Sequence, residues 1–420
     1  MRLSGPEAGH TLGAITRAQL PLPRQAVVRT LRDPGTGETL DQALVLWLPG
    51  PGSFTGEDVV ELHIHGGVAV RAAVVRTLAA IPGCRAAEPG EFTRRAVLSG
   101  RMDLSAAEGL ADLIDAETEA QRRQAFRQVE GVLAGEVARW RERLVEVSGL
   151  VEAALDFSDQ EDVSPELTNA AQGIFREVGR EIADAVKATA GAERLRDGFV
   201  AVIAGSPNAG KSTLLNAIAR REVAIVSPEA GTTRDAIEVR CDLGGLPVTF
   251  VDTAGLRNTD DPVERIGVER ARGHARSADL VLWLRAPGEA DGEGVATVAP
   301  VIRVRTKADL TSLSGETPGE VAVSAVTGVG LDRLLAAVTG RAEAAVSGAA
   351  DAVVVRERHR VALTDVAECL ARAGVALATG AEELAAEDVR LALRALGRIT
   401  GTVDVEEVLD RVFTRFCIGK

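Results

Sequence analysis

Apolar and polar positions change rhythm along this chain, and each rhythm predicts a different kind of element. Through the first hundred residues, short apolar runs alternate with loops holding Gly-Pro-Gly clusters. Leu44-Val45-Leu46-Trp47-Leu48 is continuous and Val59-Val60-Glu61-Leu62-His63-Ile64-His65 alternates, so both predict strands, while Val68 to Ile81 has helical spacing. From Ser105 to about Leu155 the pattern is helical, proline-free and rich in Ala, Glu, Arg and Gln, and residues 166–197 continue it. At Gly198 the character changes again. Short apolar strands at 199–204, 246–251, 279–284, 301–305 and 321–323 alternate with helical stretches, which predicts a doubly wound, mostly parallel sheet. From Ala352 onward the chain is helical once more. A strand-rich block bracketed by helical stretches predicts an insertion into one helical domain whose two parts pack together. The expected boundaries are a mixed α+β domain at 1–100, helical segments at 101–197 and 346–420, and the inserted α/β domain at 198–345. Gly288–Gly294 and the Ala/Gly-rich 341–350 read as loop and linker.

Length supports several domains, because single cores rarely grow to 420 residues. A net charge of −13 argues against this chain alone gripping nucleic acid over a wide surface, so an RNA substrate needs a local basic patch or a basic partner. No apolar run reaches membrane-spanning length and no signal peptide opens the chain, so the expectation is a cytoplasmic protein with no membrane partner. Cys84, Cys241, Cys369 and Cys417 form no Cys-x-x-Cys pair, which indicates neither a zinc site nor a disulfide framework.

Residues 205–213 carry the clearest chemistry: Gly-Ser-Pro-Asn-Ala-Gly-Lys-Ser-Thr fits G-x-x-x-x-G-K-[ST] between an apolar strand and a helix. Gly205 and Gly210 let the backbone curl so that several N–H groups converge on one anion at a helix N-terminus. Lys211 can then reach the β- and γ-phosphates, and the Ser212 hydroxyl can ligate Mg²⁺. Only four of the 48 basic residues are lysines, namely Lys187, Lys211, Lys307 and Lys420. In so arginine-rich a chain, a retained lysine marks a site that needs a compact ammonium. Lys187, on a helix, is read as carrying no such meaning.

Downstream motifs follow in order at strand ends. Gly231-Thr232-Thr233-Arg234-Asp235 reads as a switch loop whose Thr233 ligates Mg²⁺ when a γ-phosphate is present. In Asp252-Thr253-Ala254-Gly255, the aspartate can hold the Mg²⁺ shell through water and Gly255 can offer its N–H to the γ-phosphate. In Thr306-Lys307-Ala308-Asp309, Asp309 can accept from the N1–H and N2–H₂ edge of guanine, and adenine lacks that donor pair. Ser324-Ala325, followed by Val326, can present backbone N–H to the guanine O6. The usual first residue of that base motif is Asn. Thr306 keeps a hydroxyl but loses amide reach, so weaker affinity with retained guanine specificity is expected.

These residues resemble the family of the tRNA modification GTPase MnmE, also called TrmE, over essentially the whole chain. The specific marks are Gly-Pro-Gly-Ser-Phe-Thr-Gly-Glu-Asp at 50–58, Glu61-Leu-His-Ile-His-Gly-Gly67, Pro89-Gly-Glu-Phe-Thr93 and the phosphate loop. Ala224-Ile225-Val226 leading to the 231–235 motif, Asp252 to Arg257 with Glu264-Arg-Ile-Gly267, and the terminal Phe416-Cys-Ile-Gly-Lys420 complete the set. The resemblance implies α/β plus α architecture: a Ras-like P-loop G domain inserted in a helical domain, preceded by an α+β folate-binding-type domain. It implies a homodimer that, with a flavin-dependent MnmG-like partner in a heterotetramer, modifies C5 of the wobble uridine (position 34) of certain tRNAs. The modification is of carboxymethylaminomethyl type, with a one-carbon unit from a tetrahydrofolate and with GTP hydrolysis.

The same resemblance implies site residues. Asn208, Ser227, Glu229 and Thr232 match the K⁺ ligands, and Glu264 matches the catalytic glutamate that orients water, alongside Lys211. A monovalent cation beside the β/γ-phosphates can neutralise developing charge where an arginine would otherwise stand. GTP contacts fall on Asn208 to Thr213, that is Asn208, Ala209, Gly210, Lys211, Ser212 and Thr213. They continue through Ser227, Pro228, Glu229, Ala230, Gly231, Thr232 and Thr233, then Asp252, Thr253, Ala254 and Gly255. Thr306, Lys307, Ala308, Asp309, Ser324, Ala325 and Val326 close the set. Arg2, Glu61, Arg101 and Lys420 match folate contacts, with Arg101 standing where lysine is common. The family pattern has a further strand and glycine-rich turn before Arg-Leu-Ser-Gly, whereas this chain starts at Met1-Arg2-Leu3-Ser4-Gly5. A misassigned start or a truncation is the expectation, with an unpaired strand edge left behind.

Other features keep two readings. His63 and His65 on one strand face could form a metal pair or be plain strand residues. The acidic run 156–162 reads as a solvated loop or a cation holder, Arg122–Arg143 as a tRNA contact or a solvated helix face, and Cys417 as a nucleophile or a packed thiol. Two rival functions remain: a ribosome-assembly GTPase, which would not explain residues 50–93 or 416–420, and a folate-dependent one-carbon enzyme with a regulatory G domain.

Overall fold

The computed structural model describes residues 1–156, 164–206, 208–225, 238–252, 278–288, 299–310 and 319–403. These fall into two compact units, the first taking Met1–Ala111, Gln128–Ile174 and the chain from Arg372, the second Asp112–Arg127 and Phe175–Ala371.

The first unit opens with a four-stranded antiparallel sheet of β1 (Arg2–Ser4), β2 (Val27–Arg32), β3 (Thr39–Leu48) and β4 (Val59–His63), ordered β1-β4-β3-β2. Helices α1 (Ala8–Thr16) and α2 (Val68–Ala80) contribute to its core, in which Leu12, Ile15, Leu31, Val45, Val60, Leu62 and Val74 are buried. Alternation along β4 places Val60 and Leu62 inward, so the register Arg2↔Glu61 sets those two polar residues side by side on neighbouring strands. β4 ends at His63, two residues earlier than the alternation suggested. His65 therefore lies beyond the strand, where its Nδ1 is 2.8 Å from Asp41 Oδ1, while His63 Nε2 is 3.4 Å from Glu61 Oε2. Each histidine has its own carboxylate neighbour, and the shared strand face that motivated a metal pair does not exist.

A polar network ties β1 to the 50–58 loop and to α3 (Glu91–Leu98). Ser4 Oγ lies 2.6 Å from Thr55 Oγ1 and donates to Glu57 Oε2 at 2.9 Å, and Arg95 bonds both Glu57 and Glu91 at 2.9 and 2.6 Å. Arg85 grips Glu91 through both terminal nitrogens at 2.8 and 2.6 Å. Burial pushes the Glu91 carboxyl up, but Arg85, the Glu88 amide and Arg95 outweigh it and hold it at about 2. Helices α4 (Leu104–Asp115) and α5 (Glu119–Val129) follow in the chain, and α10 (Glu357–Ala378) precedes α11 (Glu382–Thr400). In this unit α6 (Val132–Asp156) packs along α11, with Leu133, Trp140, Leu144 and Val147 of the one and Val389, Ala392 and Leu396 of the other buried.

The second unit contains α7 from Phe175 onward (the helix spans Ser164–Asp197) and a six-stranded sheet. Its strands are β5 (Phe199–Gly205), β6 (Glu238–Leu243), β7 (Leu246–Asp252), β8 (Leu280–Arg285), β9 (Val301–Arg305) and β10 (Glu320–Ala322). The order is β10-β9-β8-β5-β7-β6, parallel except for β6. Continuous burial along β5 and β7 explains their largely apolar sequences, since parallel strands are covered on both faces. Helices α8 (Lys211–Ala219) and α9 (Leu331–Ala345) pack on the sheet through Leu214, Leu215, Ile218, Leu334 and Val338. β6 was not foreseen. It alternates polar and apolar residues at the sheet edge and joins β7 through Gly244-Gly245, both with positive φ (67° and 88°), the geometry of a tight hairpin.

Candidate phosphate and base site

The chain leaves β5 on one side to build β7 and on the other to build β8, so the C-terminal end of β5 stands at the point where strand order reverses. Open α/β sheets bind ligands at that crevice. The residues expected to hold a phosphate occur there. Gly205 has φ +149°, and an added Cβ would lie 2.3 Å from the Leu284 carbonyl oxygen, so only glycine lets β5 leave the sheet at this point. Gly210 (φ +88°) caps α8 in left-handed conformation. Asn208, between them, holds φ +64°, an uncommon conformation for a residue with a Cβ and one that Asn tolerates better than most. Gly210 leads directly into the first turn of α8, where a helix leaves N–H groups without an intrahelical partner.

Lys211 Nζ donates to the Gly205 and Ser206 carbonyl oxygens at 2.9 Å each, bridging the loop's own start. Ser212 Oγ donates to Asp252 Oδ2 at 2.5 Å, so the loop hydroxyl and the buried carboxylate at the end of β7 stand together. Two oxygen donors adjacent at a phosphate loop suit a hard cation such as Mg²⁺. Ala209 is fully buried beneath the loop, and Thr213 is exposed on the first turn of α8.

The base motif follows β9. Lys307 adopts φ +55° and Asp309 is exposed, while Ala308 N donates to Val323 O at 3.1 Å, pinning this loop to the segment after β10. Ser324 is fully buried; its hydroxyl accepts from Thr327 N at 3.1 Å, and the turn leaves Ala325 half-buried and Val326 exposed. Thr306 is buried, and its hydroxyl lies 2.8 Å from Ala209 O of the phosphate loop and 3.2 Å from Arg285 O. It thereby fastens the end of β9 to the phosphate loop. That partner is set by tertiary packing, which the motif alone does not reveal.

Among the residues matched to folate contacts, Arg2 and Glu61 are cross-strand neighbours. Arg101 borders the 50–58 loop, since a Cβ at Gly56 would lie 3.4 Å from Arg101 Cγ. The Arg2 guanidinium lies 5.0 Å from the Phe54 ring centroid and 4.6 Å from that of Phe92. Burial lowers its pKa, with Glu61 opposing. These aromatic partners were not singled out in the sequence, although both lie within the 50–58 and 89–93 marks. Ser227 to Thr233, Thr253 to Gly255, Glu264, Cys417 and Lys420 lie outside the described residues, as do most of the acidic run and the 231–235 motif.

Comparison with known proteins places these features. A family model described as the MnmE helical domain matches residues 104–417, and one described as the GTP-binding protein TrmE N-terminus matches residues 1–101. The tRNA modification GTPase MnmE of Methylorubrum populi is 58% identical over 429 residues, covering 100% of this chain and 94% of the relative. Its namesake from a Methylobacterium species is 57% identical over 426 residues, covering 100% and 96%. Among solved structures, the G domain of the T. maritima FeoB iron transporter is 22% identical and covers 34% of this chain and 98% of its own, with a TM-score of 0.24.

Proposed function

The chain belongs to the MnmE family of tRNA modification GTPases, and from that premise we propose a K⁺-stimulated GTP hydrolase that works with a flavin-dependent partner on C5 of the wobble uridine of certain tRNAs. The observation that carries the reading is the phosphate loop at the sheet's switch point, with Lys211, Ser212 and Asp252 gathered at its mouth, inside a full-length family match. The resemblance supplies the rest: a homodimer, joined by the partner in a heterotetramer in the cytoplasm. No described helix is long and apolar enough to cross a membrane.

Each residue group has a task in that reaction. The loop N–H groups and Lys211 hold the β- and γ-phosphates and meet the charge that builds on the leaving oxygen. Ser212 would hold Mg²⁺ and Asp252 would hold its water shell, the cation supplying positive charge beside the phosphates. Asp309 selects guanine by accepting from its N1–H and N2–H₂ edge. Glu264 orients the attacking water. Arg2, Glu61 and Arg101, with Phe54 and Phe92 beside Arg2, combine cation, carboxylate and aromatic rings, a donor set suited to a pteridine with an acidic tail. A tetrahydrofolate held there would supply the one-carbon unit.

The cation is the testable part. Asn208 sits where the loop turns, with its side chain exposed. Ser227, Glu229 and Thr232 are the other ligands in this reading. K⁺ is expected to accelerate GTP turnover on the order of a hundredfold over Na⁺, the value of one strong transition-state contact. Asn208→Ala is expected to abolish the difference. Turnover equal in both salts, but collapsing in Arg234→Ala, would assign the role to an arginine.

A further inference from the structure

We propose that Asp279 is a positioning residue for the phosphate loop, acting through β5 from the opposite end of the strand; the inference rests on the reading of 205–213 as a phosphate site. Asp279 stands immediately before β8, and its carboxylate is shared. Val200 N, in the second residue of β5, donates to Oδ2 at 3.0 Å, and Arg194 Nε, in the last turn of α7, donates to Oδ1 at 2.7 Å. Asp279 N returns a bond to Val200 O at 3.0 Å. The Asp279 side chain is 14% exposed and the Arg194 side chain 43%, so the aspartate is the sheltered member of the group.

The strand pair carries this anchor to the site. β5 and β8 run in parallel register from Ala201↔Leu280 to Gly205↔Leu284. At the site end, Gly205 meets Leu284 so closely that no Cβ fits between them. Arg285, the last residue of β8, offers its carbonyl to the Thr306 hydroxyl, which also reaches Ala209 O in the loop. β8 therefore grips β5 at both ends: Asp279 fixes its start, and the Leu284–Arg285 end with Thr306 fixes the loop. A fully paired, buried strand slides little along its axis without breaking this register. Removing the base anchor leaves Val200 N to seek another acceptor and frees β5 to shift by a fraction of an ångström. The loop amides must sit within hydrogen-bond distance of phosphate, so such a shift weakens every phosphate contact together. Arg194 adds the tether to α7 by holding the same carboxylate.

Amide hydrogen exchange on the nucleotide-free full chain tests this without relying on catalysis. Ala209 N and Leu214 N, which donate to Ser206 O and Gly210 O, report on the loop. Asp279→Ala is expected to speed their exchange about tenfold, with peptides of β7 and α9 unchanged. Asp279→Asn keeps an acceptor for Val200 N and is expected to restore most of the protection. Arg194→Gln is expected to have a small effect alone and none on the Asp279→Asn background. In parallel, GDP affinity should fall about tenfold in Asp279→Ala and recover in Asp279→Asn. Loop exchange equal to that of the parent overturns the inference. So does acceleration spread evenly over the sheet, which would mean that Asp279 serves stability alone. A parent chain that fails to bind GDP would instead overturn the nucleotide reading, and the exchange result would still decide the role of Asp279.

Discussion

Lys211→Ala is expected to weaken GTP binding on the order of a thousandfold and to leave the fold intact. The ammonium at this position would make two or more charge-assisted bonds to phosphate oxygens, each worth about 1.5–3 kcal/mol. Its bonds in the structure are to the Gly205 and Ser206 carbonyl oxygens, on the rim of the loop. Those carbonyls can turn to water when the side chain is cut back, so the cost falls on nucleotide and not on the core. Calorimetric titration with GTP, set beside a thermal unfolding curve, separates the two. Retained affinity would show that the loop binds phosphate without its lysine, and a collapsed unfolding transition would show that the lysine is structural.

The second large effect concerns the base. Asp309→Asn is expected to weaken GDP binding on the order of a thousandfold or more, because a site built to pair with a substrate's donors discriminates steeply. The same substitution should improve binding of xanthosine diphosphate. Xanthine carries a carbonyl where guanine has its 2-amino group, and an amide N–H₂ can donate to it. Asp309 is exposed at the end of the loop, so the exchange of acceptor for donor costs the apo fold little. Competition between GDP, ADP and xanthosine diphosphate reads all three affinities. A parent protein that binds ADP as well as GDP would remove the guanine assignment, and an Asp309→Asn variant with unchanged preference would move it to another residue.

Much of this site could be read from the sequence, for a physical reason. Parallel strands buried on both faces leave largely apolar runs, so β5, β7 and β8 stood out, and the phosphate loop and Asp252 follow directly at the C-terminal ends of β5 and β7. Gly205 and Gly210 were also legible, because the backbone they need tolerates little else. What the sequence left out is what depends on partners. β6 is a half-polar edge strand whose pattern, Glu238-Val239-Arg240-Cys241-Asp242-Leu243, is short and weak by itself. β4 stops at His63 although its alternation continues, because β3 pairs with it no further than Leu44. Thr306 matched a base motif by position, and the partners of its short side chain, Ala209 and Arg285, are remote in sequence. The Arg2 platform on Phe54 and Phe92 likewise joins three separate segments. Local pattern foretold elements and motif order; long-range hydrogen bonds and ring contacts had to be seen.

GTP hydrolysis by this chain is proposed to serve wobble-uridine modification, and the nucleosides of cellular tRNA test that link. Total tRNA from cells lacking the protein, digested and analysed by mass spectrometry, should have lost the carboxymethylaminomethyl-type uridine. The intact chain should restore it, and the Lys211→Ala variant should not. A full complement of that nucleoside in the deleted cells would break the link between GTP hydrolysis and this modification, as would its return with a variant unable to bind GTP.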